Sequence, residues 1–208
     1  LNDLSGYRRV LLPAEGKYIY QSRSGHPVTC AAAFLQQCVI DNVMETKVNA
    51  LDMGCGNGII SIMLALQRPH WHIRGIDLQP ELVELAAFNA RQCAVPTQFD
   101  VFDLRQPPYP GASFDLIVSN PPWIKMDAGI VSPGRARALA RTELSCSMQD
   151  VISACQYLLR PGGSAFILYP QFRSRDFAQS LENSLLDTIK IFKDKDSEKY
   201  CVFHVVKR

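Results

Sequence analysis

Residues 48–60 read VNALDMGCGNGII, and the order of residue types in this stretch decides the fold class. The first half, VNALDMG, has the apolar content of a strand. Ile59, Ile60, Ile62, Met63 and Leu66 then recur at helical spacing. Between the two, Gly54, Gly56 and Gly58 let the backbone turn sharply and approach a ligand closely. A strand, a glycine turn and a helix in that order open an α/β unit. The dinucleotide fingerprint G-x-G-x-x-G would need a further glycine where Ile59 stands, which weakens that reading.

The alternation continues outward from this unit. WHIRGID (71–77) reads as a second strand, and Pro80 with Glu81 starts the helix LVELAAFNARQ. Proline is tolerated in a first turn, and an acid there favours the helix dipole. TQFDVFD (97–103) and FDLIVSN (114–120) are the third and fourth strands. A helix over 147–160 is expected to stop at Arg160-Pro-Gly-Gly, with SAFILYP (164–170) as the fifth strand. A helix over 174–186 and two strands near TIKIFK and YCVFHVV complete the chain. Seven strands among helices predict an α/β, doubly wound, mostly parallel sheet covered on both faces. One domain over residues 46–208 is expected, preceded by a capping segment over 1–45. In that segment a polar, glycine-containing stretch runs to Pro27 and an apolar helix spans about Thr29 to Val39.

Composition narrows the class of protein. The 208 residues are 47% hydrophobic and 20% charged, ordinary for a globular chain and enough for one substantial core. No apolar run approaches the roughly 20 residues that span a bilayer. The opening LNDLSGYRRV has neither the charged start nor the apolar middle of a signal peptide, and it begins at Leu1 and not Met, so a missing true start is expected. Seven scattered cysteines form no CxxC pair and no zinc spacing with the four histidines, so reduced thiols, no metal site and a cytoplasmic setting are expected. The net charge of +2 is well short of a dedicated nucleic-acid binder and leaves an RNA substrate open.

FDLIVSNPPW (114–123) runs from a buried strand straight into Asn120, Pro121, Pro122 and Trp123. A rigid turn with an aromatic plug would account for it alone. In a doubly wound sheet, however, ligands bind where strand order reverses, at the carboxyl ends of strands. The glycine loop and this segment both lie at the carboxyl ends of expected strands.

Together these stretches resemble class I S-adenosylmethionine-dependent methyltransferases. Asp52 with Gly54, Cys55, Gly56 and Gly58 matches the D-x-G-x-G-x-G of motif I, which in that family wraps the methionine part of the cofactor. The resemblance implies that Asp77, followed by Leu78, binds both ribose hydroxyls, as an acceptor-only carboxylate can. It also implies that Asp103 and Leu104 meet the adenine edge. Asn-Pro-Pro-Trp resembles motif IV of enzymes that methylate planar nitrogens. The lone pair of such a nitrogen is delocalised, so transfer requires it to become tetrahedral and to gain positive charge. The Asn120 side-chain oxygen and the Pro121 carbonyl could each accept one N–H and favour that geometry. Trp123 could stack on a planar base.

From about residue 48 to 170 the chain looks like the bacterial tRNA (adenine-N6)-methyltransferase family that modifies a valine tRNA. SNPPW, ARTELS (140–145) and LLRPGGSAFILYP carry this resemblance, and YIYQSRSGHPVTCAAAFL carries it more loosely. The chain departs from that family at Cys30, where an acid is usual, and at Trp123, where tyrosine is usual. The expected activity is methylation of an exocyclic base amine, adenine N6 in tRNA first. Release-factor glutamine N5-methylation and ribosomal RNA guanine N2-methylation are the alternatives. A cofactor-binding scaffold is a remoter one, disfavoured by Asn120, Pro121 and Asp77 occurring together. Arg137 and Arg141 are the first candidates for RNA contact, followed by Arg8, Arg9, Arg135, Arg173, Arg175 and the lysines of 190–199, whose charge is blunted by Asp194, Asp196 and Glu198.

Overall fold

A computed structural model describes residues 4–23, 30–123, 146–194 and 198–208. The strands are β1 (Tyr7–Leu11), β2 (Tyr18–Ser22), β3 (Asn49–Met53), β4 (His72–Asp77), β5 (Gln98–Val101), β6 (Phe114–Ser119), β7 (Leu159–Pro170), β8 (Leu186–Lys193) and β9 (Tyr200–Lys207). The helices are α1 (Cys30–Asn42), α2 (Ile59–Gln67), α3 (Pro80–Cys93), α4 (Met148–Leu158) and α5 (Ser174–Leu181). Seven strands form one sheet in the order β5-β4-β3-β6-β7-β9-β8. Pairs among β5, β4, β3, β6 and β7 are parallel, and β9 runs antiparallel to both β7 and β8.

Alternation along each strand divides the core. Ala50, Leu116, Val118, Phe166 and Leu168 face one way and pack with α1, α2 and the end of α3. Leu51, Met53, Ile117, Ala165 and Ile167 face the other way and pack with α4 and α5. Side chains buried on both faces make the strands read as continuous apolar runs, as parallel strands do. From β3 the chain winds outward through β4 and β5, then crosses to β6 on the other side of β3. The switch point therefore lies between the carboxyl ends of β3 and β6.

Two local expectations are corrected, and one element is added. Near the start of the described chain, β1 and β2 form an antiparallel hairpin from Tyr7↔Ser22 to Leu11↔Tyr18. Its turn is closed by Leu12 N–H on the Lys17 carbonyl, with Gly16 at φ +68°. The helix expected over 147–160 ends at Leu158, and Arg160 to Gly163 belong to β7 as a register shift between Leu159 and Ser164. The helix expected to reach 186 ends at Leu181, since Ser184 turns the chain by accepting the Leu186 N–H at 3.1 Å.

Candidate active site

The glycine loop leaves β3 and is pinned to β4. The N–H groups of Gly54 and Cys55 both donate to the Ile76 carbonyl, at 2.9 and 3.0 Å. Gly54, Gly56 and Gly58 all have φ between +55° and +82°, a region that side chains rarely adopt. A Cβ on Gly54 or Gly56 would meet no atom within 4 Å, so there is free space beside the loop. Gly58 is different. A Cβ there would lie 3.0 Å from both Ala86 of α3 and Phe99 of β5, so this glycine lets α2, α3 and the sheet come together.

Asp77 ends β4 and joins the loop. Its Oδ2 accepts the Gly56 N–H at 2.9 Å and its Oδ1 accepts the Gln79 N–H at 2.9 Å. Each oxygen keeps a lone pair for a hydroxyl donor. Burial pushes the carboxyl above its ordinary range, against the pull of N–H groups from Gln79, Gly56 and Leu78. Leu78 beside it is 41% exposed and Phe102 40%, giving apolar surface next to the carboxylate.

Asp52 and Cys55 lie beneath the loop and do not face the crevice. Asp52 is fully buried, and its Oδ2 accepts both the N–H (3.2 Å) and the hydroxyl (2.6 Å) of Ser61. It thus caps the first turn of α2 from a neighbouring strand, where Gly58 offers no side chain. Its Oδ1 has no partner among the described residues, and burial pushes the acid up to about 7. The Cys55 thiol is buried and pushed well up by desolvation, and all seven cysteines are free. Asp103 is held by Arg105, whose Nε lies 2.9 and 3.0 Å from its two oxygens, keeping the acid below its usual range. Leu104 is half-buried against the α4–α5 side of the core.

β6 brings the second segment to the same edge. Met53 and Ser119 are register partners, and the Ser119 hydroxyl donates to the Met53 carbonyl at 2.7 Å. Gly54 and Asn120 are therefore the next residues on adjacent parallel strands. Pro121 is buried, while Asn120, Pro122 and Trp123 are half-exposed. Among the described residues no group hydrogen-bonds the Asn120 amide. The Trp123 ring meets Phe172 edge to face at 5.9 Å and 80°, and its carbonyl accepts from the Arg173 guanidinium.

Arg173 is thus not a solvated RNA contact. It is 5% exposed, ties Trp123 to the start of α5 and pairs with Asp176 at 3.1 Å. Arg8 and Arg9 are exposed on the hairpin, Arg8 donating to Gln21 at 3.3 Å and Arg9 lying 4.7 Å from the Tyr18 ring centroid. Arg175 is exposed on α5, Lys190 and Lys193 are exposed on β8, and Lys199 is exposed just before β9. Arg135, Arg137, Arg141 and the ARTELS loop lie outside the described residues, as do Lys195 and Asp196.

Two participants were not found from sequence. Asn89 of α3 is fully buried, and its amide accepts the Tyr20 N–H (2.8 Å) while donating to the carbonyls of Tyr20 (2.9 Å) and Asn57 (3.0 Å). It locks the hairpin to the glycine loop. Its signal was an amide on the apolar face shared by Leu85, Ala86, Ala90 and Cys93. Phe172 is the other, an aromatic placed just past the end of β7.

Among the described residues no three His, Cys, Asp or Glu side chains converge as a metal site, and no helix is long and apolar enough to cross a membrane.

Known proteins resemble this arrangement. Residues 44–207 match the family model described as a methyltransferase domain. A tRNA1(Val) (adenine(37)-N6)-methyltransferase from Porphyromonas gingivalis is 33% identical over 134 residues, covering 62% of this chain and 52% of that protein. A release factor glutamine methyltransferase from Koribacter versatilis is 38% identical over 80 residues, 38% of this chain and 29% of that protein. The chain spans about half the length of the tRNA-modifying relative, or less for the second. A TehB-like SAM-dependent methyltransferase from Corynebacterium glutamicum superposes with a TM-score of 0.59 at 22% identity, covering 86% of this chain and 92% of that one. The sheet order and the glycine loop at its switch point thus form the Rossmann-like fold of S-adenosylmethionine-dependent methyltransferases, and the chain belongs to the methyltransferase domain family.

Proposed function

We propose that this protein transfers a methyl group from S-adenosylmethionine to the N6 amine of an adenine in RNA, a tRNA first, in the cytoplasm. The observation that carries the proposal is the pairing of Met53 with Ser119, from which the glycine loop and Asn-Pro-Pro-Trp start side by side. The likeness to a tRNA adenine-N6 methyltransferase supports the choice of base and of RNA. Residues 46–208 would form the catalytic unit, with residues 1–45 packed on it as a cap.

The residues present fit the cofactor. The free space beside Gly54 and Gly56 would take its methionine part, and the spare lone pairs of Asp77 its ribose hydroxyls. Leu78, Asp103 and Leu104 would border the adenine. Asp52 and Cys55 would serve from beneath, holding the loop's shape. The bound cofactor supplies an electrophilic methyl on a sulfonium sulfur.

The chain's own task is to prepare the nitrogen. Asn120 Oδ1 and the Pro121 carbonyl would each accept one N–H of the target amine, turning its lone pair toward the methyl carbon. Receiving the methyl would leave positive charge on this nitrogen, where the two acceptors of the chain would lie. The nitrogen becomes acidic once methylated, so its proton can pass to water without a strong base. Dipoles already aimed at the developing charge stabilise it at little reorganisation cost, and alignment supplies much of the rest. Trp123 and Pro122 would border the base, with Arg137 and Arg141 beside the entering RNA.

A second reading, methylation of a protein glutamine, is favoured by the release-factor match, since an amide nitrogen poses the same electronic problem. Incubation with methyl-labelled cofactor and separate pools of tRNA, ribosomal RNA and release factor distinguishes them. Mass spectrometry of digested tRNA should find labelled N6-methyladenosine. Label in glutamine or in N2-methylguanosine would replace the proposal, and cofactor binding without transfer would make the chain a scaffold.

A further inference from the structure

Phe172 is 71% exposed, well above Phe102 at 40% or Tyr157 at 51%. Leaving an aromatic ring in water forgoes the roughly 1.5 to 3 kcal/mol that burial contributes. Its place in the fold is not a loose one. It sits in the single turn Gln171–Arg173, immediately after β7. On one side of it the Gln171 N–H donates to the Lys199 carbonyl at 2.8 Å. On the other, the buried Arg173 guanidinium donates to the Trp123 carbonyl and to Asp176. A ring held on a rigid turn with most of its surface in water is prepared for contact.

Its position says with what. β7 is the parallel neighbour of β6, with Ile167 opposite Ser119, so Phe172 emerges at the same sheet edge as Asn120. Its ring stands nearly perpendicular to that of Trp123. An enzyme that acts on a base amine must take that base out of its stack, which uncovers the π face of the neighbouring base. An exposed aromatic beside the site can replace the lost stack.

We propose that Phe172 is a substrate-binding residue that stacks on the nucleobase flanking the methylated one. This rests on the reading that RNA is the substrate. The Trp123 ring lies against the target and, at 80° to it, Phe172 receives the neighbour.

The test uses the full chain, S-adenosylmethionine and a tRNA that the wild type methylates, measuring kcat and KM separately. Phe172→Ala should lower kcat/KM about 5- to 150-fold, the range for losing one base–aromatic stack. Phe172→Leu, apolar but without a π face, should lose nearly as much, while Phe172→Tyr and Phe172→Trp should stay within a few-fold of wild type. Melting temperature and cofactor affinity should not move in any of the four. Unchanged kinetics in Phe172→Ala would overturn the inference while leaving RNA methylation standing, and so would full activity in Phe172→Leu. Failure of the wild type to methylate any RNA would overturn the functional reading, and this inference with it.

Discussion

The carboxyl ends of β4 and β6, which flank β3 in parallel, carry two polar side chains with different neighbours. At the end of β4, both oxygens of Asp77 are already engaged by backbone N–H groups of Gly56 and Gln79. At the end of β6, no described residue hydrogen-bonds the Asn120 amide. At the end of β4 the chain itself completes the geometry, which does not wait for a ligand. Among the described residues, nothing takes up the hydrogen-bonding capacity proposed to serve the substrate amine. Interactions that become strongest in the transition state are the ones that accelerate chemistry. A locked carboxylate beside an amide that no described residue engages is the arrangement expected if Asp77 binds and Asn120 catalyses.

The sharpest way to break this contrast is at the locked end. Asp77→Ala removes a charged acceptor from two hydroxyls, each bond contributing about 1.5 to 3 kcal/mol. Calorimetry should show S-adenosylmethionine affinity lower by a hundredfold or more, and unchanged affinity would remove Asp77 from the site. At the end of β6, Asn120→Ala should lower turnover on the order of 100-fold, as loss of one preorganised dipole does, with cofactor affinity nearly intact.

Smaller effects sharpen the picture of the cradle. Gly58→Ala places a Cβ 3.0 Å from Ala86 and Phe99 at φ +82°. The strain should cost about 1 to 3 kcal/mol, read as a melting temperature lower by several degrees. An unchanged melting temperature would show that α2 and α3 do not need this close approach. The smallest effect concerns Asp52, whose folded acid is raised to about 7. Between the ordinary carboxylate value near 3.9 and that raised value, the unfolded chain has released a proton that the folded chain still holds. This acid's contribution to stability is therefore full below that window and is lost as pH rises through it. Denaturant midpoints of Asp52→Asn should fall less than wild type between pH 5 and 7.5, and identical slopes would mean that Asp52 is charged throughout.

The parts legible in sequence are those where backbone conformation dictates residue type. Three left-handed positions demand glycine at 54, 56 and 58, and strands buried on both faces demand apolar runs, so the succession of strands and helices is legible. The hairpin is not. β2 is held by Asn89, Gln92 and Cys93 of α3, contacts some 70 residues away in sequence that leave no local period. Asp52 matches a cofactor motif, and its brace on α2 through Ser61 is not legible there, because residue type does not disclose which way a side chain points. Arg173 reads from sequence as a candidate RNA contact for the same reason. Its burial is set by Trp123, Met148 and Asp176, which meet only in the folded chain. Phe172 was invisible because an aromatic after a strand is ordinarily core, and only its exposure distinguishes it.

The most direct test of the division between a binding end and a reacting end is made on one preparation of Asn120→Ala. Cofactor dissociation constant, melting temperature and single-turnover methyl transfer to RNA are measured on the same sample beside wild type. The account predicts a melting temperature and dissociation constant close to wild type and transfer slowed on the order of 100-fold, with partial recovery in Asn120→Asp. A folded Asn120→Ala protein that transfers the methyl at the wild-type rate would contradict it.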